Sequence, residues 1–225
     1  MPLEHSFDTL GYYARSFDDI AVYYAVVRGI APAVAPDDLG RAPRIGFYRA
    51  LERKHANPAS TTAVELAAKH LAALEAVVGE MVLPPQFPDL TETHRLIFND
   101  GLSRSLKAVH DKDAHRISDR LRGMIESGIA TSPAAYRSAV AHADGCRRDI
   151  NSAFGGFDVL LCPSAPGEAP VGLGATGDPV FQVMWTLLHL PCANVPLATG
   201  PNGLPVGIQF VGRQYDDDTV LAIAN

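Results

Sequence analysis

A thiol and a hydroxyl, Cys162 and Ser164, stand two residues apart where the apolar run Val159-Leu160-Leu161 meets the proline-rich loop "CPSAPGEAP". Either is a nucleophile by type. To act as one it needs a base within hydrogen-bond reach and donors aimed at a developing oxyanion. The chain contains no G-x-S-x-G elbow and no Gly-rich run around any serine. The favoured reading is therefore a strand end, with a small buried thiol and a hydroxyl that caps a loop. Four other groupings have chemistry-bearing side chains. "HDKDAH" carries His110, Asp111, Asp113 and His115, but its histidines are five apart rather than the four that would pair them on a helix face. A solvated helix junction accounts for it better. His189 sits in the apolar "TLLHLP", where a wall or core histidine is expected. Trp185, the single tryptophan, reads first as core. Asp8, Arg15, Asp18 and Asp19 form a charged group around the first helix, suited to structural pairing.

The elements that must position these residues follow from periodicity. "RSFDDIAVYYAVVRG" predicts a helix capped by Ser16 and stopped by Gly29, with Ile20, Tyr23, Tyr24 and Val27 at helical spacing. Residues 44–50 predict a strand, and 60–78 a helix with Val64, Leu71, Leu74 and Val78 on one side. "GEMVLPP" predicts another strand, ended by Pro84 and Pro85. Residues 92–128 predict two helices broken near 110–113. Ser132-Pro133 opens a further helix that runs to Gly155-Gly156. Then come the strand leading to Cys162, a helix over 178–189, and two strands joined by the turn Gly200-Pro201-Asn202-Gly203. Consecutive apolar residues in these strands imply a sheet covered on both faces, and helices between strands imply an α/β layered fold.

Hydrophobic residues make up 47% of the 225, enough for a sizeable core. A formal net charge of -6 with scattered Lys and Arg argues against a nucleic-acid surface. No apolar stretch approaches a membrane span, and the first residues, "MPLEHSFDTLG", lack the regions of a signal peptide. Three widely spaced cysteines fit buried thiols in a reducing compartment, so a cytoplasmic chain is expected. The first helix has no strand before it, and "DDDTVLAIAN" stops after about two helical turns. Both ends read as cut from something longer.

Four stretches, in order, resemble the amidase signature family. "SFDTLGYYARSFDDIAVYYAVVRG" is similar to its Asp-x-x-Gly…Arg-Ser…Asp segment, here Asp8, Gly11, Arg15, Ser16 and Asp19. "FDVLLCPSAPGEAP" resembles its strand ending in Pro-Thr-x-Pro, with Ser164 where threonine is common. "WTLLHLPCANVPL" is the third. The fourth and most specific is "GLPVGIQFVGRQYDDDTVLAIA", with Gly203, Pro205, Gly207 and Gln209. The resemblance implies a mixed sheet flanked by helices and hydrolysis of carboxamide C–N bonds by a Ser–cis-Ser–Lys triad, with no metal and no organic cofactor. It also implies that the triad precedes the Asp8 segment. Residues 1–225 are thus expected to be a single C-terminal part of an amidase domain, with no catalytic residue of its own. Lys54, Lys69, Lys107 and Lys112 lie in no matching motif. Ser164, Trp185 and His189 are the candidates for a substrate-pocket wall. The partners implied are a small amide substrate in a full-length parent, and self-association or an N-terminal fragment to cover exposed apolar surface, with neither nucleic acid nor membrane. A non-catalytic relic or partner-binding domain, and an A-subunit-like fragment of a tRNA-dependent amidotransferase, are the alternatives.

Overall fold

The computed structural model describes residues 3–30, 39–49, 55–87 and 90–225. Lys54 and the end of the strand expected over 44–50 lie outside them. The described elements run α1 (Phe17–Arg28), β1 (Arg44–Tyr48), α2 (Pro58–Ala73), β2 (Val77–Met81), α3 (Thr91–Asp113), α4 (Asp119–Ile129), α5 (Pro133–Ala153), β3 (Val159–Pro163), α6 (Val183–Leu188), β4 (Cys192–Thr199), β5 (Pro205–Val211) and α7 (Asp217–Ala224). The strands form one sheet in the order β2-β1-β3-β5-β4. β1 is parallel to β2 and β3, whereas β5 is antiparallel to both β3 and β4. The fold is therefore α/β with a mixed sheet, as expected.

Alternation along the strands divides the core. Val159 and Leu161 of β3 join Ile45, Phe47, Ile208 and Phe210 against α2 and α7. Leu160 and Cys162 face the other way, with Tyr48, Met81 and Val211, against the side chains of α5 and α6. Every residue of β3 is buried, which is why its sequence reads as an unbroken apolar run rather than an alternation.

Local signals decide the helix ends. The Ser16 hydroxyl accepts from the Asp19 N–H at 3.2 Å, and Gly29 closes α1 in the left-handed conformation at φ 66°. Ser132 caps α5 with Pro133 in the first turn. Three expectations are corrected. α1 buries Ala21 and Ala25, not the predicted stripe; Tyr23 and Val27 are exposed. α2 ends at Ala73 because Glu75 adopts a positive φ of 67°, so Leu74 is exposed and Val78 belongs to β2, which starts earlier than predicted. The helix expected over 178–189 covers only Val183–Leu188: the Asp178 carboxylate accepts from the Val180 N–H in a turn, and His189 ends the helix at φ 59°. The break in 92–128 falls just after Asp113. Cys192 also differs from a simple buried thiol. Its residue is exposed on edge strand β4, yet burial of its sulfur, then Cys162 and Asp217, push its pKa up.

The N-terminal segment is held on α3. Phe7 stacks on His94 with ring centroids 4.7 Å apart, and Phe98 stacks on the far side at 5.6 Å. Burial between these rings lowers the His94 pKa from 6.5 to about 4. His94 thus stays neutral in the folded chain while the unfolded chain takes up a proton near 6.5. Its contribution is present above pH 6.5 and is lost as pH falls toward 4, amounting to about 3 kcal/mol at most. In urea melts, wild-type stability should decline across that window, and His94→Leu should flatten the decline.

A second prediction concerns glycines of α4. A Cβ on Gly128 would collide with the Asn99 carbonyl of α3, whereas one on Gly123 would meet nothing within 4 Å. Gly128→Ala is expected to cost about 2 kcal/mol or more through helix separation. Gly123→Ala should stabilise by up to about 1 kcal/mol. Equal effects in denaturant titrations would contradict this account of the α3–α4 contact.

Candidate functional site

Parallel strands β1 and β3 both end at the same edge of the sheet, with Tyr48 and Pro163 as their last residues. This is also where the sheet changes from parallel to antiparallel, between β3 and β5. The strand order itself reverses between β1 and β3, with β2 on the far side of β1, and ligands of open α/β sheets bind outside the carboxyl ends of strands at such a switch point.

Gln209 of β5 organises the edge. It is 3% exposed, and its Nε2 donates to the carbonyls of Pro163 and Phe181, each at 2.9 Å. Cys162 Sγ lies 3.4 Å from the same nitrogen. One buried amide group thereby joins the end of β3 to Phe181, two residues before α6. Gly207, two residues earlier on β5, leaves no room for a side chain: a Cβ would stand 2.5 Å from Asn194 Oδ1 and 2.6 Å from Ser164 Oγ.

The segment from Ser164 to Gln182 crosses this edge. The Asn57 N–H donates to the Pro166 carbonyl at 2.8 Å, and the Ser60 hydroxyl to that of Ala165 at 2.8 Å, so the start of α2 holds its first residues. The Glu168 carboxylate accepts from the N–H groups of Asn202 and Leu204 and from Asn202 Nδ2 at 2.8–3.1 Å. Burial alone would raise the Glu168 pKa, but these hydrogen bonds together lower it. The β4–β5 turn, with Gly203 at φ 81°, presents those donors.

The sequence candidates separate into two places. Ser164 lies at this edge, where its carbonyl accepts from Gln182 Nε2 and its N–H faces the Gly207 carbonyl at 3.4 Å. Trp185 is 1% exposed, and its ring meets that of Tyr48 edge-on at 5.5 Å. His189 lies at the other end of α6, where Nε2 is 2.8 Å from the Ser6 carbonyl, against the N-terminal segment. Burial first, then Arg147, lowers its pKa, which the Ser6 contact partly opposes. Asp8 accepts from the Leu3 N–H at 2.8 Å, while Arg15 and Asp19 line a surface depression with Tyr13 and Tyr23. Gly11 precedes them in an irregular stretch, and Pro205 opens β5. His110 lies 3.9 Å from Glu126 of α4, as befits a helix junction. Among the described residues no group of three His, Cys, Asp or Glu is placed to hold a metal ion.

Sequence reasoning missed His55 and Gln182. The His55 ring meets Phe181 edge-on at 6.5 Å, and Gln182 follows Phe181. Neither belongs to a spacing pattern. Only the fold brings His55 against Phe181 and, with it, next to Gln182 in the chain.

The geometry can be set beside known proteins. The family described as Amidase matches residues 1–221. The A-subunit of glutamyl-tRNA(Gln) amidotransferase from Synechococcus sp. (strain CC9311) is 27% identical over 98% of this chain and 54% of its own length. Its counterpart of the same name from Sphingopyxis alaskensis is 43% identical, but over only 33% of this chain and 16% of its own. A crystal structure described as an amidase superposes with a TM-score of 0.88 at 26% identity, covering 100% of this chain and 53% of that one. The Thermotoga maritima A-subunit gives a TM-score of 0.64 at 24% identity over 81% of this chain and 41% of its own, a likeness of fold. The chain thus spans about half the length of the relatives that it matches from end to end.

The edge depends on the hydrogens of Gln209. Gln209→Glu at neutral pH sets a carboxylate against the Pro163 and Phe181 carbonyls and should cost about 3 kcal/mol or more. Gln209→Met, which leaves the carbonyls unpaired without adding charge, should cost less. The gap between the two in urea melts should narrow as acid protonates the glutamate. A charge-insensitive pair of variants would mean that Gln209 is not the organising donor.

Proposed function

The chain belongs to the amidase family, and from that premise we propose that it forms the scaffold and one wall of a cleft in which carboxamide C–N bonds are hydrolysed. The observation that carries the reading is the family match over residues 1–221, together with superposition of the whole chain on an amidase at a TM-score of 0.88. The reacting groups are assigned to further polypeptide. Cys162 is buried to 1% exposure and engaged at Gln209, which suits a wall and not an attacking thiol. Ser164 has its backbone fixed by Gly207 and Gln182, contacts that hold a loop rather than activate a hydroxyl. Hydrolysis needs an activated nucleophile and oxyanion donors; in this reading they belong to a Gly/Ser-rich segment and a lysine that come before Asp8.

A surface feature supports further polypeptide. α1 exposes Val22, Tyr23, Val26 and Val27, and Ile30 follows on the same surface; each is 45–64% exposed. Its buried side consists of alanines. A helix apolar on both sides belongs inside a larger core. The same feature fits a partner-binding domain without activity. A second reading, the A-subunit type of a tRNA-dependent amidotransferase, is favoured by the names of the curated relatives. No helix among the described residues is long and apolar enough to cross a membrane.

Purified alone, the chain should release no ammonia from benzamide, hexanamide or L-glutamine above the uncatalysed background. Co-production with the upstream half of an amidase relative should bring release. Turnover by the chain alone that disappears in Ser164→Ala or Cys162→Ala would overturn the assignment of the reacting groups.

A further inference from the structure

Three buried polar atoms at the strand-end edge have no hydrogen-bond partner among the described residues: Trp185 Nε1, Gln182 Oε1 and His55 Nε2. Leaving one such atom unpaired costs about 1–3 kcal/mol, so three in one locality require a reason. They belong together structurally. His55 packs on Phe181, Gln182 is the next residue, and Trp185 lies about one helical turn further along, against Tyr48. Tyr48 ends β1, and Ser164 directly follows the parallel strand β3.

The chemistry of the three atoms is specific. The indole N–H only donates. Gln182 Nε2 is engaged by the Ser164 carbonyl, which leaves Oε1 as an acceptor with a fixed direction. The rings of Tyr48, Phe181 and Trp185 belong to one hydrophobic cluster, in which Tyr48 also carries a buried hydroxyl. Among the described residues, two charged neighbours are engaged elsewhere. Arg49 lies over the Phe47 ring at 3.9 Å and 3.7 Å from Glu65, on the opposite face of the sheet, and Glu168 is held by the hairpin turn. A donor and an acceptor about one turn apart on a helix, in apolar surroundings, match the carbonyl oxygen and N–H of a neutral amide. Neither group carries a charge to offset the desolvation of a free amino acid's carboxylate or ammonium.

We propose that Trp185 and Gln182 form a subsite for a neutral carboxamide bearing an aromatic or aliphatic group. The indole N–H donates to the amide oxygen, Gln182 Oε1 accepts from the amide nitrogen, and Tyr48 and Phe181 face the apolar group. His55 Nε2 supplies a further polar contact. The segment between Ser164 and Gln182 is the cover that ligand entry must displace; Val171 and Leu173 on it are fully in solvent. The subsite rests on the amidase reading, and it selects within that reading against a zwitterionic amide such as free glutamine.

Trp185 is the only tryptophan, so the chain has one indole N–H resonance to follow in the ¹⁵N-labelled protein. Titration with benzamide is expected to move that signal downfield and saturably, while benzoate and L-glutamine leave it in place. Gln182→Leu should weaken the benzamide response about tenfold, the loss of one hydrogen bond. If that variant loses its dispersed amide spectrum, the comparison of the three compounds on wild-type protein decides alone. An equal or larger shift with L-glutamine or benzoate, or no shift with any compound up to about 10 mM, a concentration that corresponds to negligible affinity, overturns the subsite. The indole signal requires no turnover. Its failure therefore strikes the subsite, while the ammonia measurements strike the amidase reading.

Discussion

A carboxamide buried in the middle of a sheet is tolerable only where both of its amino hydrogens find acceptors. Gln209 meets that condition with two carbonyls that belong to different parts of the chain, Pro163 at the end of β3 and Phe181 before α6. The consequences spread outward. With Pro163 fixed, the chain after β3 must leave across the strand ends. With Phe181 fixed, α6 must begin there, and Trp185 is carried to the end of β1 beside Tyr48. Gly207 completes the arrangement by leaving β5 flat enough for Ser164 and Asn194 to close over it. β5 is antiparallel to β3. Reached through the tight turn from β4, it presents Gln209 opposite Cys162, one residue from the carbonyl it must meet.

The covering segment is fixed at its two ends and free between them. Asn57 and Ser60 hold Pro166 and Ala165, and Glu168 is tied to the hairpin turn. Beyond Glu168 the backbone crosses an exposed stretch with no helix or strand until Val183. Local opening draws on regions with few buried contacts, so the strand ends can stay rigid while the cover yields.

The fold was legible where one signal dominated. Ser16 and Gly29 bracketed α1, Ser132-Pro133 opened α5, and the Gly200–Gly203 turn set the β4–β5 pairing, because caps and turns are local chemistry. Legibility failed where a tertiary contact overrode period. Val78 continued the helical pattern of α2, yet it pairs with Ile45 as a strand residue. The apolar stripe predicted for α1 was a stripe, but it faces outward, and no periodicity says which side of a helix finds a partner. At the site, Gln209 was visible as part of "GLPVGIQ" by resemblance, without its role. His55 and Gln182 carried no signal, since their meeting depends on where a loop of irregular backbone happens to lie. His189 was grouped with Trp185 by nearness in sequence, but the short α6 sends the two to opposite ends and gives His189 to the N-terminal segment.

On the proposed reading, these placements bear on how the chain would orient a substrate. A wall contributes to catalysis by orientation, and orientation requires groups that are held before the substrate arrives. Gln182 cannot turn its amide without losing Ser164, and Trp185 cannot turn its indole without losing the edge-on contact with Tyr48. Both restraints trace back to Gln209 through Pro163 and Phe181. A nucleophile brought to this edge from elsewhere would meet an amide whose direction was already chosen by residues with no part in bond breaking. The molecule carries two kinds of surface. The strand ends offer directed polar atoms in apolar surroundings and suit a small ligand, whereas α1 offers broad apolar area without direction and suits polypeptide.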